Sequence, residues 1–220
     1  TFSGDYFALK NDKGNKTVWC GPDTLELSIS AVRKAFAHQL SRFSGIWWFD
    51  MWGGWYHHDE IMSEINKLRV IAESSKEKVP AKFPKADTVV FIDEKAYFNN
   101  PIGSHFCHCV NITRVALGNT GIPFDLCMTE DAKKVLHKYK AAVFTAPLPS
   151  ESGKKAVEMC EKMNIPYIHP DSEKPHFTTS ELRDFLVSEG VHCYNADGNV
   201  LYCGGGYVGI HSVNDGVVNI

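Results

Sequence analysis

Hydrophobic positions in the first part of the chain recur at the spacing of an amphipathic helix. Between residues 24 and 43 they return every three to four positions, at Leu25, Ile29, Val32, Phe36 and Leu40. Asp23 or Thr24 supplies an N-terminal cap, and Gly45 ends the pattern. A second run with the same period follows His58-Asp59-Glu60. We therefore predict two amphipathic helices that each cover a core on one side.

An aromatic run, GIWWFDMWGGWY at residues 45–56, separates these two helices. Residues 46–52 are apolar at nearly every position, which predicts a strand buried on both faces, as in a parallel sheet covered by helices. Gly53-Gly54 ends the predicted strand. Helix, buried strand, loop and helix make one α/β repeat.

The middle of the chain, residues 86–190, alternates short apolar runs with helical periods. The predicted strands are 88–92, 124–128, 141–145 and 165–168, and the predicted helices are 106–117, 130–139, 152–163 and 179–188. Right-handed crossovers turn this alternation into a doubly wound, flavodoxin-like α/β domain. Residues 76–85 are rich in lysine and proline and are predicted to be the linker that precedes it.

The last stretch, residues 191–220, changes to strand-like runs separated by glycine-containing turns. An Asp197-Gly198 turn between residues 191–194 and 200–203 predicts a β-hairpin. We expect this stretch to begin a small β domain. The chain starts at Thr1 and its last residues resemble a strand interior, so we also expect the sequence to be a piece of a longer polypeptide.

Composition narrows the possible partners. The 220 residues are 44% hydrophobic and 22% charged, with a formal net charge of −3. This balance gives no basic excess for a nucleic acid or an anionic membrane. No apolar run reaches the roughly 20 residues of a membrane-spanning helix. We therefore predict neither a nucleic-acid partner nor a membrane partner.

Motifs for cofactors and metals are weak. No G-x-G-x-x-G and no P-loop lysine pattern follows a predicted strand, so no nucleotide or flavin cofactor is predicted. Cys107-His108-Cys109 raises the alternative of zinc, but neighbours two apart on a predicted helix point to different sides. Buried thiols are favoured there, and no metal site is predicted. Cys127 is the nearest candidate nucleophile, yet no glycine-flanked turn follows it.

The run GIWWFDMWGGWY with its Asp-Glu helix start resembles the end of the catalytic barrel in glycoside hydrolase family 42, the β-galactosidase type. Gly21-Pro22-Asp23-Thr24 and residues 33–38 resemble the preceding helix of related enzymes. The resemblance is specific over residues 21–60, and the order of the remaining elements matches it. It implies the last strand and helices of a (β/α)8 barrel at 1–75, an amidotransferase-like, Rossmannoid three-layer domain at 86–190, and a short β segment.

The resemblance also implies a function: the C-terminal portion of a glycoside hydrolase that binds a carbohydrate substrate and forms a homo-oligomer through the Rossmannoid domain. The implied substrate-binding residues are Trp48, Asp50, Trp52 and Trp55. In a strand, residues 48, 50 and 52 share one face, which we expect to face the site, and residues 47, 49 and 51 share the other. The alternative is that most of these tryptophans pack a core or an interface.

The two carboxylates of a retaining glycosidase lie on earlier barrel strands in this family. No residue of this chain is therefore predicted to be catalytic, and the chain alone is expected to be inactive. A second hypothesis, of a different class, is a non-enzymatic carbohydrate-binding or scaffold protein that carries the same aromatic run.

Overall fold

The structure of the protein is a computed structural model. It describes residue 22 and residues 24–49, 56–75, 86–98, 105–212 and 214–220. These residues divide into two compact units. The first contains the described residues of 1–84 together with Tyr202–Gly209, and the second contains those of 85–201 and 210–220.

The first unit is built on two helices, α1 (Leu25–Ser41) and α2 (Asp59–Ser75). Both helices were predicted. The hydroxyl of Thr24 caps α1 by accepting a hydrogen bond from the Leu27 N–H at 3.2 Å. The apolar stripe of α1 packs on α2 through Val32, Phe36 and Leu68. The apolar faces of α1 and α2 therefore bury one another.

An ion pair also joins these two helices. The guanidinium of Arg33 on α1 donates a 2.6 Å hydrogen bond to the carboxylate of Glu64 on α2. Glu64 is buried, and the hydrogen bond from Arg33 lowers the pKa of its carboxyl group. This contact satisfies a charge that would be costly to bury alone.

The second unit contains a parallel four-stranded sheet with helices on both faces. Its strands are β1 (Thr88–Ile92), β2 (Phe124–Met128), β3 (Ala141–Phe144) and β4 (Tyr167–Ile168). Its helices are α3 (Glu94–Tyr97), α4 (His105–Gly118), α5 (Ala132–Val135), α6 (Glu151–Met163) and α7 (Thr179–Ser188). The strand order is β2-β1-β3-β4, with Val90 opposite Leu126 on one side and Val143 on the other. The predicted α/β class is confirmed.

Alternate residues of each central strand build two separate cores. Val90 and Val143 face α4 and α7, where Leu117, Leu182 and Leu186 are buried. Their strand neighbours face the other side, toward α5 and α6, and this core contains Val89, Phe91, Ala142, Phe144, Ala156 and Cys160. Strands buried on both faces need apolar residues at consecutive positions, which is why their sequences were readable as short apolar runs.

Three of the predicted elements differ in the structure. The predicted helix at 130–139 is one α-helical turn, α5, between 3-10 turns at Thr129–Asp131 and Leu136–Lys138. The predicted strand at 46–52 is wrong over its described part, because residues 46–49 lie in neither a helix nor a strand. Periodicity identifies which residues are apolar, but a strand also needs a neighbouring strand for its backbone hydrogen bonds.

The predicted hairpin is the third difference. Residues 191–194 lie outside any strand, and the Tyr194 N–H donates instead to the Gly121 carbonyl at 3.0 Å. The hairpin is formed by β5 (Val200–Gly204) and β6 (Tyr207–His211). Its two-residue turn, Gly205-Gly206, has positive φ at both positions (60° and 79°), as a type I′ turn requires.

In the first unit, the hairpin tip contacts α1. The rings of His38 and Tyr202 lie 5.0 Å apart, and burial lowers the pKa of His38. A Cβ at Gly209 would lie 2.7 Å from the Ala37 Cβ, so glycine permits this close approach. Among the described helices of the whole chain, none has the length and apolar character needed to cross a membrane.

Candidate functional site

The aromatic run that the sequence singled out follows α1. Its described residues are 45–49 and Tyr56. The predicted site residues Asp50, Trp52 and Trp55 lie outside the described residues, so Trp48 is the predicted site residue whose surroundings the structure gives.

Trp48 anchors the run to the helices. Its half-buried side chain packs on the core of the first unit, which contains Val32, Phe36 and Leu68. Its ring also meets the ring of Tyr56 edge-on, with centroids 5.7 Å apart. The hydroxyl of Tyr56 donates to the Phe49 carbonyl at 3.3 Å, which joins Tyr56 to the end of residues 45–49. Trp48 therefore contributes packing to the fold.

Trp47, in contrast, is 75% exposed. Its ring contacts Phe49 edge-on at 5.4 Å, and Phe49 is itself 45% exposed. The sequence-based expectation placed Trp48 toward a site and Trp47 toward the helices. In the structure Trp48 packs on the helices and Trp47 presents its indole to solvent. The solvent-facing aromatic surface, Trp47 and Phe49, was thus missed because strand alternation assigned it to the buried side.

The carboxyl edge of the parallel sheet is the second candidate site. Ligands of doubly wound domains bind where the strand order reverses, which here is between β1 and β3. Asp93 follows β1 at this point, and Ser150 lies beyond β3 as the N-cap of α6.

Asp93 is buried, with 2% of its surface exposed, and its carboxylate accepts three hydrogen bonds from neighbouring protein groups. One oxygen, Oδ1, accepts from the Ala96 N–H at 3.2 Å and the Ser150 hydroxyl at 2.7 Å. The other, Oδ2, accepts from the Ser150 N–H at 2.8 Å. A Cβ at Gly153 would lie 2.2 Å from Oδ2, so α6 approaches this carboxylate as closely as glycine allows. The carboxylate thus caps α3 and binds Ser150, the N-cap residue of α6.

The polar groups that follow β2 are also satisfied by their neighbours. The Ser152 hydroxyl donates to Glu130 at 3.2 Å, and the Thr129 hydroxyl lies 3.1 Å from that of Ser152. Lys95 forms a 3.1 Å ion pair with Glu130. A backbone hydrogen bond at Glu130 itself, and then Lys95, lower the pKa of the Glu130 carboxyl group. This network joins the ends of β1 and β2 to α6.

Two cysteines of the second unit, Cys127 and Cys160, lack the features of a nucleophile. Burial raises the pKa of Cys160 to about 12 and also raises that of Cys127. Both thiols are therefore protonated at neutral pH, whereas the thiolate is the reactive form.

His169 packs beside Phe144, with ring centroids 5.5 Å apart, and burial lowers the pKa of its imidazole.

The zinc alternative finds no support on α4. Cys109 is fully buried there, whereas His108 is exposed. Their side chains thus point to different environments on the helix. Within the described residues, no three His, Cys, Asp or Glu side chains cluster in a way that would hold a metal ion.

Comparison with known proteins gives no relative for this chain: no family profile, no curated protein and no solved structure matches it.

Proposed function

We propose that the chain is the C-terminal portion of a glycoside hydrolase of the β-galactosidase type. In this proposal residues 45–56 form part of an aromatic wall for a sugar, and the α/β unit serves assembly without chemistry of its own. The proposal starts from the resemblance of residues 21–60 to the end of a glycosidase barrel. The catalytic carboxylate pair would lie in preceding sequence.

The observation that carries the sugar-binding role is the exposure of Trp47 beside an anchored Trp48. Trp48 is held by the α1–α2 core, so the backbone that presents Trp47 is supported by packing. Trp47 then offers a flat apolar face to solvent, and Phe49 extends this surface. A sugar ring pairs its C–H face with such an indole, while its hydroxyls stay with water or polar groups. Within the described residues, the wall is therefore Trp47 and Phe49.

The carboxyl edge of the sheet supports the assembly role of the second unit. Asp93, Ser150 and Gly153 fill the place where a doubly wound domain holds its ligand. Burial also keeps Cys127 and Cys160 protonated. In this proposal the second unit has the architecture of an amidotransferase-like domain but no catalytic activity of its own.

A sugar titration of the 220-residue chain tests the aromatic wall. We expect β-galactosides to bind, and Trp47→Ala to weaken binding about tenfold or more, because stacking on an indole contributes on the order of 1–3 kcal/mol. Phe98→Ala is the matched control, since Phe98 is an aromatic residue of similar exposure (69%) in the second unit. Equal affinity of wild type and Trp47→Ala, measured by calorimetry, would remove Trp47 from the site.

The sequence of the full reading frame that contains these residues tests whether the parent protein is a glycosidase. Upstream sequence with a barrel and two strand-end carboxylates supports the glycosidase. A reading frame without them would favour the carbohydrate-binding or scaffold alternative. The 220-residue chain itself should not hydrolyse aryl β-galactosides. Turnover that disappears in Asp50→Asn would contradict this and make Asp50 catalytic.

Assembly through the second unit has its own test. β2 ends the described strand order, and its Leu126 and Met128 are 57% and 42% exposed. If this edge lies in a subunit interface, Leu126→Lys should shift the protein toward the monomer in analytical ultracentrifugation. Leu148→Lys, at a residue of similar exposure (51%) beyond β3, is the control. A wild-type chain that sediments as a monomer at high concentration would contradict assembly.

A further inference from the structure

The sequence contains two Asp-Gly dipeptides, Asp197-Gly198 and Asp215-Gly216. The first precedes β5 and the second follows β6, and both belong to the second unit. Both aspartates are exposed, and both glycines have positive φ, 81° and 146°. A Cβ at either glycine would meet nothing within 4 Å. The two dipeptides are therefore a matched pair in residue type, exposure and free space.

An Asp-Gly dipeptide can rearrange without any other reactant than water. The backbone nitrogen of the glycine attacks the side-chain carboxyl carbon, and the carboxyl hydroxyl group leaves with the amide proton as water. The product is a five-membered succinimide ring. Water then opens this ring at the backbone carbonyl, so that the main chain continues through the side-chain carbonyl as isoaspartate. Glycine favours the attack because it has no Cβ to hinder the approach.

The buried side chain of Asn195 holds Asp197 in place. The Asn195 amide donates a 3.0 Å hydrogen bond to the Asp197 carboxylate, and the Asp197 N–H donates to the Asn195 side-chain oxygen at 3.3 Å. Asn195 is only 4% exposed. These contacts hold the carboxylate toward a residue that precedes it, whereas the rearrangement needs the carboxyl carbon beside the nitrogen that follows it. The two hydrogen bonds must therefore break before Asp197 can react.

Asp215 is not held in this way. Within the part of the chain that the structure describes, its carboxylate accepts no hydrogen bond and forms no ion pair, and the Gly216 N–H donates no hydrogen bond. The side-chain contacts of the preceding loop stop at Asn214, whose carbonyl accepts from the Ser212 hydroxyl at 2.6 Å. Both reacting groups of Asp215-Gly216 are thus available to each other.

We propose that Asp215 is a site of isoaspartate formation in the folded protein and that Asn195 protects Asp197 from the same reaction. The rate of such an intramolecular step depends on how readily the reacting atoms come together in the right orientation. At Asp215 this needs only the rotation of a side chain without hydrogen bonds to the described residues. The reaction also adds the side-chain methylene to the main chain ahead of Asn219, whose carbonyl accepts a 3.0 Å hydrogen bond from Asn195. Isoaspartate at residue 215 therefore weakens the connection between the loop before β5 and the last residues.

Isotope labelling of the full 220-residue chain tests both parts of the proposal. The folded protein is incubated at neutral pH in water enriched in a heavy oxygen isotope, because ring opening takes its oxygen atom from the solvent. Peptide mass spectrometry with electron-transfer fragmentation locates the label and distinguishes isoaspartate from aspartate. We expect isoaspartate to form about tenfold faster at Asp215 than at Asp197, because two hydrogen bonds must break at Asp197. In urea, where the Asn195 contacts are lost, the two rates should converge.

Two variants separate the reaction from its protection. Asp215→Glu keeps the carboxylate but needs a less favourable six-membered ring, so the label at residue 215 should disappear. Asn195→Ala should raise the rate at Asp197 toward that at Asp215, with circular dichroism as the check on folding and the rate at Asp215 as the internal control.

The comparison of folded and urea-treated wild type needs no variant, so it holds even if Asn195→Ala does not fold. Equal rates at Asp197 and Asp215 in the folded wild-type chain would overturn the protection by Asn195. Isoaspartate that forms at Asp215 in urea but not in the folded chain would overturn the site. None of these outcomes depends on sugar binding.

Discussion

Asp93 and Ser150, 57 positions apart in the sequence, are joined by two hydrogen bonds, from the Ser150 N–H at 2.8 Å and its hydroxyl at 2.7 Å. Asp93 follows β1 and Ser150 begins α6, so this contact fixes a helix start to the end of a neighbouring strand. It occupies the point where the strand order reverses. The same contact therefore strengthens the fold and closes the place where related architectures hold a ligand.

Replacing Asp93 should destabilise the second unit. Asp93→Ala removes a charged acceptor and leaves the part-buried donors of Ser150 and Ala96 without their partner, so we expect a loss of about 2–4 kcal/mol. Urea unfolding measures the change. Asp131→Ala is the control, because the ion pair of Asp131 with Lys134 is exposed and should contribute less than about 1 kcal/mol. Equal losses in the two variants would show that the Asp93 contacts are not stabilising.

Replacing Gly153 or Gly118 by alanine tests two effects separately: the space available for a Cβ atom and the helix propensity of the residue. Gly153→Ala places a Cβ 2.2 Å from the Asp93 carboxylate and 3.0 Å from the Pro149 Cβ. We expect it to destabilise the protein by about 1–3 kcal/mol through overpacking. Gly118→Ala, at the end of α4, meets nothing within 4 Å and should be neutral or stabilising by up to about 1 kcal/mol. Thermal unfolding of both variants tests the pair, and a stable Gly153→Ala protein would mean that α6 can move away.

The start of α7 should make stability depend on acid pH. Lys174 forms a 2.6 Å hydrogen bond to Glu181. This contact, followed by hydrogen bonds from Thr178, lowers the pKa of the Glu181 carboxyl group to about 2. The pKa is lower in the folded state than in the unfolded state. The resulting stability is therefore complete above about pH 5 and is lost as the pH falls toward 2.

Glu181→Gln should remove this contribution. Between about pH 5 and 2 its free energy of unfolding should fall less steeply than that of wild type, as measured by urea unfolding at several pH values. Glu189→Gln lies just beyond the other end of α7, outside the capping box, and is the control for losing one carboxylate. Parallel pH profiles for wild type and Glu181→Gln would contradict the expectation.

Trp47 and Trp48 should differ in their contribution to stability. Trp48→Ala removes a half-buried ring from the α1–α2 core and its contact with Tyr56, and should cost about 2–4 kcal/mol. Trp47 is 75% exposed, so Trp47→Ala should change stability by no more than about 0.5 kcal/mol. Chemical denaturation followed by circular dichroism measures both. A reversed order would mean that Trp47 is the residue that holds the run in place.

The buried thiol of Cys160 should be inert in the folded protein. Burial raises its pKa to about 12, which leaves almost no thiolate at pH 8. We expect iodoacetamide to label Cys160 in urea but not under native conditions, as peptide mass spectrometry will show. Cys160→Ser should remove that urea-dependent label. Rapid labelling of Cys160 in the native protein would contradict its burial between the sheet and α6.

Most of the secondary structure could be predicted from local pattern. The strands at 88–92 and 124–128 and the helix at 179–188 have the predicted bounds, because a short apolar run and a helical period can each be recognised within a few residues. The turn of the final hairpin could not be chosen this way. Asp197-Gly198 and Gly205-Gly206 both favour a hairpin locally. The Asn195 side chain hydrogen-bonds to the side chain and backbone N–H of Asp197, and Asp197-Gly198 lies in a loop that is not the hairpin turn.

The sequence by itself determined where the chain is apolar, where helices begin, and that alternating strands and helices make an α/β unit. These properties depend on neighbours along the chain. The tertiary structure decided that Trp48 rather than Trp47 packs on the helices and that Asp93 binds Ser150, the N-cap residue of α6. Each of these depends on packing and hydrogen bonds between segments that are apart in sequence. The periodicity of a sequence gives no information on contacts between such segments.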